Sequence, residues 1–214
     1  MRIILALSWL LWIVSLTLSC SPVNRVITPE STDIDLNYPV GPFTLIERSG
    51  KTITDQDLIG SVWIASFVFT RCSGPCPAVT ATVARLQSEF RDEPGVKFVT
   101  FTVDPKHDDL TALRAYALAR NADPQRWLFL TGDEDTIHRI IREQFKQAVE
   151  RNLDPHASAG EAFDHSTRLV VVDRRGVIRA TYQGLMDDRL PNPEEAFEAE
   201  LTRLRKRVRE LLRE

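Results

Sequence analysis

The run Val62-Trp63-Ile64-Ala65-Ser66-Phe67-Val68-Phe69 is almost unbroken by polar residues. A strand with one wet face alternates polar and apolar residues; this one offers no wet face, so it suits a sheet covered on both sides. It leads directly into Thr70-Arg71-Cys72-Ser73-Gly74-Pro75-Cys76-Pro77. Beyond the second cysteine, Val79, Val83, Leu86 and Phe90 recur at helical spacing, and Pro77 is tolerated in a helix's first turn. A buried strand, a short turn carrying two cysteines and an amphipathic helix together call for helices layered over a sheet.

The rest of the chain repeats that alternation. Phe43 to Glu47 and Lys51 to Thr54 flank Ser49-Gly50 and read as an N-terminal β-hairpin. Pro94-Gly95 ends the helix, and Val96 to Val103 forms a second buried strand. A helix over Asp109 to Ala119 and a short strand Trp127 to Leu130 follow. Asp133 caps a helix predicted to reach about Gln147, and Arg151 to Phe163, with little periodicity, reads as an exposed loop. Arg168 to Asp173 and Val177 to Tyr182 are strands joined at Arg174-Arg175-Gly176, and a last helix starts near Pro193, with Phe197, Leu201, Leu204, Val208 and Leu211 on one face. The expected architecture is an α/β fold, a central mixed sheet flanked by helices in the thioredoxin order, with the hairpin as an N-terminal extension.

The length of 214 residues suits one domain with extensions rather than two domains. With 27% charged residues, a net charge of -3 and no basic stripe, nucleic acid is not an expected partner. The N-terminus differs in kind: Arg2 precedes an uncharged apolar run from Ile3 to Leu18 that ends at Ser19-Cys20, the shape of a secretory signal. Leu16-Thr17-Leu18-Ser19-Cys20 resembles a bacterial lipobox, with Thr17 where leucine is usual. Residues 1–20 are therefore read as a signal with cleavage before a lipidated Cys20, the alternative being an uncleaved anchor helix; both place the domain on the extracytoplasmic side of a bacterial membrane. Residues 21–38 read as a tether and 39–214 as the domain.

With Cys20 assigned to lipid, Cys72 and Cys76 remain for chemistry. A disulfide closing so short a loop would constrain the unfolded chain little, so a purely structural staple is a weak explanation. Strand-to-helix loops are where this architecture places ligands, and the helix N-terminus favours thiolate over thiol, which predicts a lowered thiol pKa. Two thiolates select soft ions such as Cu(I) without naming one. Phe163-Asp164-His165-Ser166-Thr167 stands just before a strand that brings it beside the cysteine loop, so His165 can add an imidazole, with Asp164 a candidate for fixing its tautomer. His107 and His156 in polar loops and His138 on a polar helix are read as satisfied surface or core residues rather than ligands.

Together these segments resemble the Sco/SenC family of copper-binding thioredoxin-like proteins. Phe67 to Leu86 matches its cysteine signature, Thr102-Val103-Asp104-Pro105 with Asp108-Asp109 its aspartate loop, and Asp164 to Thr167 with Val170 to Asp173 and Gly176 its histidine strand. The resemblance implies copper, as Cu(I) or Cu(II), held by Cys72, Cys76 and His165 with Asp104 in support. It implies a metallochaperone whose partner is the copper-receiving subunit of a respiratory cytochrome oxidase, with other periplasmic copper carriers or thiol reductants as further partners. Ser73-Gly74-Pro75 echoes the C-G-P-C of thioredoxins with one residue inserted. That keeps a rival open: a thiol–disulfide oxidoreductase with Cys72 and Cys76 as its catalytic pair, reducing the oxidase's cysteines or those of other exported proteins.

Overall fold

A computed structural model describes residues 35–214; Cys20 and the signal and lipidation readings lie outside the described residues. The ten strands in chain order are β1 (Tyr38–Pro39), β2 (Thr44–Glu47), β3 (Thr52–Thr54), β4 (Val62–Val68), β5 (Val96–Thr102), β6 (Trp127–Thr131), β7 (Val149–Arg151), β8 (Phe163–His165), β9 (Arg168–Val172) and β10 (Val177–Gln183). The helices are α1 (Cys76–Glu89), α2 (Leu110–Leu118), α3 (Glu134–Arg139) and α4 (Pro193–Leu211). Eight strands form one mixed sheet ordered β1-β10-β9-β4-β5-β6-β2-β3, and β7 pairs with β8 in a separate ladder.

The centre of the sheet is the parallel trio β4, β5 and β6, with β9 antiparallel to β4 on one side and β2 antiparallel to β6 on the other. Every residue of β4 is buried, as its composition required. Side chains alternate across the sheet, so Phe98 and Phe101 face opposite layers. On one layer Phe98 meets Trp127, Trp127 stacks on Phe129, and Phe129 meets the edge of Tyr116 from α2. On the other, Phe145 packs against Trp63, Phe67 and Phe101. α1 is held to α4 by Arg85–Glu198 and Arg205–Glu89 ion pairs. Because β4, β5 and β6 run parallel, their carboxyl ends lie at one pole, and the cysteine turn leaves β4 there.

The hairpin forms where expected, Gly50 supplying the positive φ of 94° at its turn, and β2 docks on β6 so that the hairpin widens the main sheet. One expectation fails. The helix after Asp133 ends at Arg139 and continues as one π turn over Ile140–Gln144, with Phe145 N–H donating to the Ile140 carbonyl. The wider turn buries Ile140, Ile141 and Phe145 together, and Lys146, at a φ of 55°, then breaks the helical path. The stretch between Arg151 and Phe163 is an exposed loop, as expected, with β7 and β8 bracketing it and a 3₁₀ turn at Ala159–Glu161. Three-residue strands are too short to write a period into the sequence.

Candidate metal centre

The centre begins with how the cysteine turn is anchored. Thr70 N–H donates to the Asp108 carboxylate at 3.0 Å and its hydroxyl does so at 2.6 Å, while Cys72 N–H returns to the Phe69 carbonyl at 3.3 Å. Pro75 caps α1 with its backbone alone, its carbonyl accepting from both Ala78 and Val79 N–H at 3.1 Å. Cys76 thus opens the helix on its buried side, with no exposed surface, and Cys72 stays half-buried at the rim. Gly160, in the 3₁₀ turn, presses on the rim from outside: its carbonyl accepts from Ser73 N–H at 3.3 Å, and a Cβ there would stand 2.3 Å from Ser73 Oγ.

His165 ends β8, opposite Val149 in the ladder, and the neighbouring Ser166 N–H donates to the Ala148 carbonyl at 2.9 Å. Its Nδ1 lies 3.0 Å from the Ser166 carbonyl oxygen, which can only accept, so Nδ1 carries the proton and Nε2 presents a lone pair. That lone pair meets Cys76 Sγ at 3.1 Å. The Phe69 ring meets the imidazole edge-on, centroids 5.8 Å apart. Asp164, expected to fix the tautomer, is exposed; the Ser166 carbonyl does that work. The nearest partner in sequence was thus a main-chain group, which composition cannot reveal.

The two sulfurs and the imidazole nitrogen lie within 4.8 Å of one another, and among the described residues no other group of three or more His, Cys, Asp or Glu side chains gathers so closely. Their protonation departs from the expectation. Burial pushes the Cys76 thiol well above its ordinary value, aided by the adjacent Cys72 sulfur and the Asp108 charge, and a hydrogen bond from Phe69 backbone opposes them only in part. The helix N-terminus loses to desolvation there. Burial also lowers the His165 pKa, keeping the imidazole neutral. The centre sets a thiol against a neutral imidazole, and a soft cation that replaced the proton would find two sulfurs and one nitrogen already converged.

Asp104 is fully buried yet belongs to no ligand group. Its carboxylate pairs with Arg71 at 2.7 Å and with His107 Nδ1 at 2.9 Å, and these partners outweigh burial and hold its pKa below the usual carboxylate range. Its contact with the cysteine turn is Arg71, the residue before Cys72. His107 is a half-exposed residue satisfied by Asp104, and His138 is a satisfied core residue, with Nε2 at 2.8 Å from the Val103 carbonyl and its ring on Phe163. Asp108 and Ser166 fall inside the aspartate-loop and histidine motifs but had no role assigned from sequence; Arg71 and Phe69 were not singled out, and only their position beside the cysteine turn could have flagged them.

Residues 32–194 match the SCO1/SenC family model. The chain belongs to the SCO1/SenC family. Among solved structures it resembles a SCO1/SenC family lipoprotein from Bacillus anthracis str. Ames at 29% identity, over 78% of this chain and 96% of that one, with a TM-score of 0.65. It resembles BsSco, described as a member of the Sco family of cytochrome c oxidase assembly proteins with a disulfide switch, at 28% identity over 81% and 95% of the two chains, with a TM-score of 0.65. It also resembles Bradyrhizobium japonicum ScoI with copper bound, at 27% identity over 78% and 99%, with a TM-score of 0.57. The α/β fold with its mixed central sheet is that of these thioredoxin-like Sco structures.

Proposed function

We propose that this protein is an extracytoplasmic copper carrier that takes up copper through Cys72, Cys76 and His165 and hands it to a subunit of a respiratory cytochrome oxidase. The observation that carries the reading is the convergence of two sulfurs and an imidazole lone pair within 4.8 Å, with the tautomer already set for metal. The copper-bound relative and the oxidase-assembly relative support the choice of ion and of recipient. Three donors leave a copper ion room for an incoming thiolate, so the cargo can pass by ligand exchange. The lipobox-like Leu16 to Cys20 and the lipoprotein relative support attachment outside the cytoplasm.

His165→Ala is the decisive variant. It leaves both thiols and the start of α1 in place but removes one donor of three, so copper affinity should fall by at least ~10–100-fold, the range seen when even outer-shell partners are lost. Competition against a chelator of known affinity measures it, and equal binding by the variant would end the three-donor reading.

A second reading has its own observation. Cys72 is half-buried and Cys76 wholly so, the asymmetry of an attacking and a resolving thiol, and the BsSco relative is described with a disulfide switch. Thiol–disulfide exchange would survive His165→Ala in large part, which separates the two readings.

A further inference from the structure

Asp108 is a buried carboxylate that the three-donor centre does not use. It has no exposed surface, and it sits where the carboxyl ends of β4, β5 and β6 meet. One oxygen accepts the Thr70 hydroxyl at 2.6 Å, and the other accepts Thr70 N–H at 3.0 Å and the Thr102 hydroxyl. Thr102 is free to donate because its own oxygen already accepts Asp104 N–H at 3.0 Å. The main chain of Asp108 is fixed as well, its N–H donating to the Asp104 carbonyl at 2.9 Å and its carbonyl accepting the Thr131 hydroxyl at 3.1 Å. All three partners of the carboxylate are donors, the set that suits an ionised acid, although burial raises its pKa.

The carboxylate and the metal centre share one corner of backbone. Thr70 N–H points at Asp108, and Thr70 stands two residues before Cys72. Two residues of chain span at most about 7 Å, so the carboxylate is held on the order of 10 Å from the sulfur at the start of the cysteine turn. No cation lies among the groups bonded to Asp108, whereas Asp104 has the Arg71 guanidinium. Its charge therefore acts on whatever ion the thiols hold, across protein rather than water.

We propose that Asp108 is a positioning and charge-setting residue of the copper centre: its uncompensated carboxylate tethers the cysteine turn and favours Cu(II) over Cu(I). This rests on the copper reading above. Two thiolates already give Cu(I) a net negative centre, and a further buried negative charge disfavours that state more than the Cu(II) state with its additional positive charge. A unit charge at such a separation, at the effective dielectric of a protein, is enough to change the ratio of the two affinities by about tenfold.

The test is Asp108→Asn in the full chain, with Cu(II) and Cu(I) affinities each measured by chelator competition. The amide keeps one oxygen for Thr70 N–H and the Thr102 hydroxyl, loses the charge, and replaces the second oxygen by an NH2 from which the Thr70 hydroxyl must accept. The ratio of Cu(II) to Cu(I) affinity should fall about tenfold. Thr102→Val, which removes the hydroxyl bonded to both Asp108 and Asp104 N–H and keeps the charge, should leave the ratio within about twofold. Asp108→Ser supplies a second neutral side chain and should fall as Asn does if the amide packs poorly. An unchanged ratio in Asp108→Asn, with both ions still bound, would overturn the proposal while leaving the copper carrier intact. Failure of the unsubstituted chain to bind either ion would overturn both.

Discussion

Two cysteines four positions apart differ in environment, and that difference has a measurable form. Cys72 is partly open to solvent; Cys76 is enclosed, and burial holds its pKa above the ordinary 9.0. The thiolate is the reactive species, so a small alkylating agent at pH 8 should modify Cys72 first and leave Cys76 largely intact until the chain unfolds, as peptide mass mapping would show. Equal labelling of both in the native protein would contradict the burial. The sign for metal follows: binding must displace the Cys76 proton, so copper affinity should decline as pH falls. Residue identity at the centre was legible from sequence because two cysteines at a strand–helix junction and a histidine before a strand are unusual. The balance of forces on each was not, since desolvation depends on what the rest of the chain packs above the sulfur.

At the level of elements, β7, β8 and the 3₁₀ turn between them make a flap whose two ends do separate work: β8 carries His165, and Gly160 braces Ser73. A Cβ at Gly160 would meet Ser73 Oγ at 2.3 Å and Ser73 N at 2.9 Å. Gly160→Ala should therefore displace the rim beside Cys72 and weaken copper binding severalfold although no donor is touched. Adding Ser73→Gly relieves the contact with the side chain and should restore part of the loss; a titration of each variant decides it. The hairpin, the parallel trio and α1 were legible because each spans enough residues to show a period. The flap was not, because its strands are short and its turn is fixed by contacts across the fold. The π turn at Ile140–Gln144 was missed for a related reason: its apolar residues keep helical spacing, and only Lys146 in the left-handed region closes it.

Across the whole molecule, the metal centre and the main ion-pair network occupy opposite poles. Arg179 is nearly buried and pairs with Asp173 at 3.1 Å, Asp35 at 2.9 Å and Glu214 at 3.0 Å, joining the first described residues to the end of the chain. Val172, beside Asp173, pairs with Trp63 at the amino end of β4, so seven residues of strand, roughly 20 Å, separate this network from the cysteine turn. Arg179→Met leaves the buried Asp173 with the Arg175 guanidinium at 3.2 Å as its remaining cation and should cost about 1–3 kcal/mol of unfolding free energy, while copper affinity of the folded protein stays within about twofold. Denaturant unfolding and metal titration on the same preparation test both halves. Distance in space has a counterpart in chain order. Cys76 and His165 touch, yet 89 residues divide them along the sequence. The dithiol needs only β4 and α1, whereas the imidazole needs a contact that closes 89 residues of chain, across β5, β6 and the flap. A chain in which only β4 and α1 had met would hold two sulfurs and lack the third donor.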